Sequence, residues 1–583
     1  MEKWFVRNKN IDYKKIAKKY GISEVISKIL INRNIYLEES IDTFLYGGLD
    51  SLHSPSTMYG IKNASNIIKE SIGKGEKIRI VGDYDVDGVM SIYILYTSLV
   101  GLGANIDFVI PDRKKDGYGI NERIVERANE DGVELLITCD NGISAFEPVE
   151  LANDLGIKVI ITDHHDLTYR IEEDEKVYVT PEADAVINPK NPKCNYPFEL
   201  LCGAGVAYKL VEYIFSEEKE EIYPLLEYVA IATVCDVVDL VDENRIMVKH
   251  GLKLINSTKN IGLKSLIEVL EIEKELGIYH LGFIIGPIIN ASGRLESALI
   301  ALELLLTEDK SKAMKIAKDL KALNEERKNL TGKGFEDIVS QIEEEGLNQN
   351  KILVVYDEDI HESVAGIIAG RIKDSYNKPT IVLTKSSDGV KGSGRSIKEY
   401  NIFEELNKSR DLLSNFGGHP MAAGLSLKEK NILPLRERLN NITTLTEEDI
   451  YKKIYIDLAL PIAFLNDSFM DDLKKLEPFG KGNAKPLFGD KKLKIKKLFK
   501  FGKEGNVLKF NLYNGRRTYI DAVLFNDTSN FEEMLTEKYG GRELQKLYKG
   551  VDNDICLDLI YYPKYNEYRG RKTIQIIIES YRI

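Results

Sequence analysis

Ile78-Arg79-Ile80-Val81-Gly82-Asp83-Tyr84-Asp85-Val86-Asp87-Gly88 is the stretch on which the fold turns. A short apolar strand runs into a glycine, and three alternating aspartates follow. A second glycine then opens a long apolar run from Val89 to Leu102 that has the character of a helix. Outward from this point the same alternation continues. Ile106 to Ile110, Leu135 to Thr138 and Val159 to Thr162 are strand-like, with a helical stretch around 145–155 between the last two. Apolar strands alternating with helices predict an α/β domain whose parallel sheet is covered on both faces. In such sheets functional groups gather at the carboxyl ends of the strands.

Those ends carry acids and imidazoles. The second gives Thr138-Cys139-Asp140-Asn141-Gly142, and the third gives Thr162-Asp163-His164-His165-Asp166. A fourth group, Thr233-Val234-Cys235-Asp236-Val237-Val238-Asp239, follows an apolar helical run and falls in a loop or helix end. One Asp-x-Asp-Gly alone is commonly a turn or a helix N-cap, and a lone His-His pair is more often structural than metal-bound. The set is harder to dismiss, because every piece lies at the same kind of position and two of only seven histidines adjoin an aspartate there. Two carboxylates ~4 Å apart repel by about 4 kcal/mol at an effective dielectric near 20. A divalent cation removes that cost. Carboxylates with few imidazoles suit Mn²⁺ or Mg²⁺ better than zinc. A pair of such ions roughly 3.5–4 Å apart is suited to hydrolysis of a phosphodiester.

The chain has 583 residues, enough for three or four domains. Residues 12–32 are predicted helical with a break near Gly21. The stretch 301–345 is predicted as a long connecting helix. A second α/β region starts at Lys351, with strands at 351–355 and 379–383 and a helix near 364–374. Residues 441–450 look like a linker, and after 451 short alternating strands predict a small β-barrel or sandwich. The net charge of −12 sits beside a local basic run, Lys491 to Lys500, in which Lys492, Lys494, Lys496 and Lys497 alternate with Leu493 and Ile495. Binding follows local patches more than overall charge, although a lysine run is also an ordinary solvated strand face. No apolar run approaches the ~20 residues of a membrane span, and the opening MEKWFVRNKN lacks a signal-peptide core. Five cysteines without CxxC spacing predict free thiols in a soluble protein of the cytoplasm.

At this point the motifs resemble the DHH phosphoesterase superfamily, in which GDYDVDG, CDNG, DHH and TVCDVVDL match four acidic motifs in order. The resemblance extends to its RecJ-type exonuclease family through Pro111 to Gly119 (a basic GYG loop), Asn188-Pro189, Leu201 to Ala207, Asp242 to Arg245, Asn290 to Arg294 and Leu323 to Arg327. Further on, it includes His361 to Ile367, Gly392 to Ser396, Phe416 to Gly424 and Pro478 to Asn483. Ile288 stands where an Arg is usual, Ile360 where a Trp is common, Ser363 replaces a Gly and Cys235 a small Ala.

The resemblance implies an N-terminal helical segment (1–50), a DHH domain (51–300), the connecting helix (301–345), a DHH-associated α/β domain (346–440) and an OB-type nucleic-acid-binding barrel (451–583). It implies two divalent ions, Mn²⁺ or Mg²⁺, held by Asp85, Asp87, Asp140, His164 and Asp236, with Asp140 as the bridge and Asp83 a further or outer ligand. Asp163, His165 and Asn141 orient ligands or touch the scissile phosphate. Arg113 and Tyr118 guide the strand. Arg294, Ser393, Arg395 and His419 grip phosphates, and Lys492, Lys494 and Lys496 line the barrel. The implied activity is metal-dependent 5′ to 3′ hydrolysis of single-stranded DNA by a monomer, in repair and recombination, with single-strand-binding protein and a RecQ-type helicase as partners. Two other readings stand beside it: a DHH phosphodiesterase for short oligonucleotides or cyclic dinucleotides, and a catalytically silent replication scaffold. The barrel and the GYG loop weigh against the first, and the intact acidic set weighs against the second.

Overall fold

Five short strands, β1 (Lys77–Val81), β2 (Asn105–Val109), β3 (Leu135–Cys139), β4 (Lys158–Thr162) and β5 (Ala185–Ile187), pair side by side in the order β2-β1-β3-β4-β5, all parallel. They belong to a computed structural model that describes residues 2–113, 115–173, 175–387, 389–502, 505–514 and 518–583. Ile78, Ile80, Ile137 and Ile160 are fully buried, as a doubly covered sheet requires. Helices α1 (Val86–Gly101), α2 (Glu122–Glu130) and α3 (Phe146–Asp154) form the crossovers. After β5 the chain turns helical, with α4 (Gly203–Ile214), α5 (Leu226–Cys235), α6 (Gly286–Leu295) and α7 (Leu299–Leu306). Helix α1 presents apolar residues almost all round, because α4 and α5 pack on the side that the sheet leaves free.

Helix α8 (Lys310–Glu344) runs for 35 residues. Its first half packs on α6, α7 and the helix Ile261–Val269, and Ile338 and Ile342 near its end join a separate core with Val355 and Ile368. That second core belongs to a mixed sheet of β6 (Leu353–Tyr356), β7 (Thr380–Ser386), β8 (Gly389–Arg395), β9 (Leu413–His419) and β10 (Ala422–Leu427), in the order β9-β10-β8-β7-β6. Only β6 and β7 are parallel, and α9 (Ala365–Tyr376) covers one face.

The chain divides into two compact units. One comprises residues 52–239 and 243–452 and holds both sheets described so far. The other comprises residues 1–51, 240–242 and 453–583. In the second unit β11 (Phe488–Phe501), β12 (Val507–Tyr513), β13 (Tyr519–Phe525), β14 (Cys556–Tyr568) and β15 (Arg571–Arg582) pair in the order β11-β12-β13-β15-β14, and β11 also pairs with β14 to close the barrel. The β13–β15 pairing is parallel and the others antiparallel, with two helices between β13 and β14. This is the five-stranded OB topology. Leu493, Ile495, Phe510 and Leu557 fill its interior, and Ile26, Leu30 and Phe44 of the N-terminal helices share that core. Among the described residues no helix is long and apolar enough to cross a membrane.

Candidate metal centre

The acidic groups predicted at the strand ends converge. Asp83, Asp85 and Asp140 bring ligand atoms within 4.8 Å of one another, and so do Asp87, His164 and Asp236. A third grouping, Asp140, His164 and His165, bridges the two. His164 Nε2 lies 3.1 Å from Asp140 Oδ1, 3.7 Å from Asp87 Oδ2 and 3.8 Å from Asp236 Oδ2.

Backbone geometry places each ligand. Asp85 is the N-cap of α1, and its Oδ1 accepts the Asp87 and Gly88 amides. Asp87 lies in the first turn and accepts the amides of Gly203 (2.6 Å) and Ala204 (2.7 Å), where α4 begins. Asp140 takes a left-handed backbone, φ +61°, just past β3, which turns its carboxylate back over the sheet edge. A side chain on Gly203 would come within 2.6 Å of the Asp140 Cβ, so α4 approaches this closely only with glycine there. Asp236 is the C-cap of α5.

The unmatched atoms of this arrangement suit a cation. Asp83 Oδ1, Asp140 Oδ1 and His164 Nε2 are buried without hydrogen-bond partners, although buried polar groups are ordinarily paired. Burial and neighbouring carboxylates push the Asp83 and Asp140 carboxyls well above the usual range, and burial with Asp85 raises Asp87 to about 7. Burial and the charge of His165 lower His164 to about 3, so its ring is neutral, the state in which imidazole ligates. That ring also hydrogen-bonds the Leu201 backbone, an outer contact of the kind that fixes a ligand's tautomer.

Asp163 has a different part. Its Oδ1 accepts from the His164 and His165 amides and pairs with His165 Nδ1 at 2.8 Å, while Oδ2 accepts from Ile143. Burial alone would raise it, yet the hydrogen bond and charge of His165 hold it at about 2. His165 is correspondingly raised to about 9 against the lowering effect of burial, mainly by that bond to Asp163. The imidazolium therefore persists at neutral pH beside the acidic cluster. Tyr118 donates to the Asp140 carbonyl at 2.8 Å and stands 3.3 Å from His165 Nε2. Asn141 is wholly buried. Its amide donates to Val81 and Cys139 and its carbonyl accepts from Ile120, so it clamps the loop that carries Asp140.

Guanidinium groups gather across from the carboxylates. Arg294 donates to the Ser363 carbonyl at 2.9 Å and is lowered to about 10 by burial, with Arg113 and Arg327 adding to the effect. Arg395 is lowered by burial and by Arg113, and it donates to Ser393 Oγ at 2.9 Å. A Cβ on Gly366 would press on both Arg395 and Ser393. His419 lies near enough to Asp166 to help lower it, although Lys190 has the larger effect. Arg327, from α8, ends the Leu323–Arg327 stretch of the resemblance, which implies no role for it. Its chemistry is ordinary for a helix, and only the fold brings it to Arg294.

The barrel lysines follow the expected alternation as far as Ile495, with Leu493 and Ile495 buried, and two bulges interrupt the strand. Lys492 sits in one bulge of β11 with φ +55°, and Lys496 is the residue skipped between Ile495 and Lys497 in another. Lys494 and Lys496 pair with Asp552, and Lys494 also with Asp554. The bulges change the phase of the strand and turn aromatics outward instead. Phe499 and Phe501 stack at 6.2 Å, Tyr513 and Tyr519 at 4.7 Å, and Lys496 and Lys497 lie over Tyr513 and Phe499.

Comparison with known proteins meets the same boundaries. Residues 77–233 match the DHH family N-terminal domain, 349–447 the DHHA1 domain and 456–580 the RecJ OB domain. The single-stranded-DNA-specific exonuclease RecJ of Bacillus subtilis is 35% identical over 588 residues, covering 99% of this chain and 70% of its own. The chain belongs to the RecJ family. The RecJ of Escherichia coli is 33% identical, with 89% of this chain and 90% of that one covered. The fold matches the crystal structure of RecJ in complex with Mn²⁺ from Thermus thermophilus, with a TM-score of 0.81, 24% identity, and 100% and 79% of the two chains covered.

Proposed function

We propose that this chain is a single-stranded-DNA exonuclease that releases mononucleotides from the 5′ end, with two Mn²⁺ or Mg²⁺ ions held by Asp83, Asp85, Asp87, Asp140, His164 and Asp236. One observation carries the reading. Unpartnered carboxylate and imidazole atoms face a group of guanidinium groups that repel one another, so one side calls for cations and the other for a phosphate. Divalent ions there supply an activated water and charge neutralisation for in-line displacement at phosphorus.

The remaining work is positioning and fixed charge. Arg113, Arg294, Ser393 and Arg395 hold backbone or terminal phosphate oxygens, and His419 approaches from the second sheet. His165, kept charged by Asp163, gives a charge-assisted hydrogen bond to a phosphate oxygen. Tyr118 steadies both His165 and the Asp140 loop. On the barrel, exposed rings beside Lys496 and Lys497 suit unpaired bases, which stack without regard to sequence. The chain acts as a monomer in DNA repair and recombination, with single-strand-binding protein and a RecQ-type helicase as partners. Its five free cysteines suit the reducing cytoplasm.

The test is hydrolysis of 5′- and 3′-labelled single-stranded and duplex DNA with Mn²⁺ or Mg²⁺, run beside Asp140→Asn. Mononucleotides released from the 5′ end of single strands only, and lost in the variant, are expected. Cleavage confined to dinucleotides would move the reading to a small-substrate phosphodiesterase, and no cleavage would move it to a scaffold.

A further inference from the structure

Strand β2 lies at the edge of its sheet, and none of its five residues is fully buried. In a parallel sheet covered by helices that is unusual. Three of the five residues, Asp107, Phe108 and Val109, line a cavity of about 430 Å³ that is bounded by the loop after β2, by α2 and by the turn between α6 and α7. Its floor is apolar, with Phe108, Ile124, Ala298 and Leu299. Phe108 is held edge-on by Tyr96 at 5.1 Å.

The charges of its lining cancel. Arg79, Arg123 and Arg127 stand against Asp107, Asp116 and Glu296, and Arg113 at the mouth against Asp112. Such a lining does not select an anion. It suits a flat, neutral, partly apolar group with hydrogen-bonding edges. Arg79 is buried, bonds Asp107 and Asp131 through Nε and Nη2, and leaves Nη1 without a partner.

Position supplies the rest. Tyr84 lines the cavity and stands in sequence between Asp83 and Asp85, and the Arg113 guanidinium lies 5.3 Å from its ring centre. Gly293 also lines it, and the next residue is Arg294. A Cβ on Gly293 would come within 2.2 Å of the Tyr84 carbonyl, so this wall is closely fitted. One end of the cavity therefore adjoins the metal ligands and the arginines that hold phosphate.

We infer that this cavity receives the base of one nucleotide of the substrate strand, the nucleotide whose phosphate Arg113 and Arg294 hold. The inference rests on the exonuclease reading and adds a base pocket to it. Arg113 and Arg294 hold the phosphate, and Phe108, Leu299 and Tyr84 enclose the ring. A cavity of this size admits purines and pyrimidines alike, so the pocket senses the presence of a base and not its identity.

The experiment uses single strands in which a stable abasic unit replaces the first, second or third nucleotide from the 5′ end. Two variants at exposed positions accompany the full-length enzyme with Mn²⁺: Ser297→Trp, which fills the cavity, and Leu299→Glu, which charges its floor. Thermal melts confirm that each is folded. Stacking of one base is worth about 1–3 kcal/mol. The wild-type kcat/KM should therefore fall roughly 5- to 150-fold for one abasic position and little for the others. Both variants should lose a similar factor on intact strands and no longer distinguish the abasic one. Indifference of the wild type to all three positions would overturn the inference, as would variants that slow intact and abasic strands alike. No hydrolysis of intact strands by the wild type would instead remove the exonuclease reading, and the inference with it.

Discussion

Asp87 and Gly203 are 116 residues apart in sequence, yet the Gly203 amide donates to Asp87 Oδ2 at 2.6 Å. With Ala204 donating to the other oxygen at 2.7 Å, the carboxylate occupies the amino end of α4, where backbone amides and the helix dipole favour negative charge. Helix α4 thus fixes the orientation of a carboxylate proposed to hold metal.

Replacing Asp87 with Asn turns an amide donor toward one of those N–H groups. We expect the metal-free protein to lose about 2 kcal/mol of stability, the scale of a charged hydrogen bond. Hydrolysis should fall below detection. Denaturant melts in chelator give the first quantity, and a variant as stable as the wild type would contradict it.

Asp140→Asn should behave in the opposite way without metal. Asp140 Oδ1 has no hydrogen-bond partner to lose, and Asn tolerates the left-handed backbone that this position requires. Removing one of several crowded carboxylates should stabilise the metal-free protein by about 1 kcal/mol. Mn²⁺ should then raise its melting temperature little, while the wild type gains several degrees.

The metal response should depend on pH. Burial and Asp85 raise Asp87 to about 7 in the folded, metal-free protein, whereas in the unfolded chain it returns to the ordinary carboxylate range. The folded state binds more protons between those values, so this contribution to stability is present at low pH and lost as pH rises through about 7. Metal must displace the same protons. Saturating Mn²⁺ should therefore raise the melting temperature more at pH 8 than at pH 6, and an equal or smaller rise at pH 8 would count against the assignment.

Arg395→Ala removes a guanidinium already disfavoured by burial and by Arg113. Loss of one charged hydrogen bond to phosphate, about 1.5–3 kcal/mol, corresponds to roughly a 10- to 150-fold drop in kcat/KM. Rates on 5′-phosphorylated and 5′-hydroxyl strands, compared across wild type and variant, identify the phosphate concerned. An undiminished rate on both strands would remove Arg395 from the site.

On the barrel, Tyr519→Ala and Phe501→Ala should each weaken single-strand binding about 5- to 150-fold in fluorescence titrations, from stacking worth about 1–3 kcal/mol. Lys494→Ala should do less, because Asp552 and Asp554 already neutralise that lysine. The reverse ranking would return the interface to the lysines.

The convergence of the acidic groups was legible in the sequence because each follows a buried strand or an apolar helix, and apolar runs are the plainest local signal a chain carries. The donors to Asp87 were not, since a backbone amide has no side chain to announce it. The glycine at 203 was the available clue, and only the approach of α4 to Asp140 explains it. The basic run of β11 was legible only in part: Leu493 and Ile495 are buried between lysines as the alternation predicts, but its phase beyond Ile495 was not. Strict alternation predicts which residues share a face, but bulges at Lys492 and Lys496 interrupt it, so Phe499 and Phe501 took the outward positions. The place of Arg327 beside Arg294 was not legible, because one arginine on a long charged helix looks like solvent-facing charge until its neighbours are known.

Helix α8 also sets a rule for changes in chain length. Its two ends belong to different cores, and each residue of an α-helix advances the chain by about 1.5 Å and turns it by about 100°. Deleting a single residue from its middle would swing the sheet that carries Arg395 about a quarter of a circle away from Arg294. Deleting seven would nearly restore the direction and shorten the span by about 10 Å. Insertions and deletions are therefore excluded from this stretch, which works as a gauge block: its residues accept many substitutions on the exposed side, but their number is fixed.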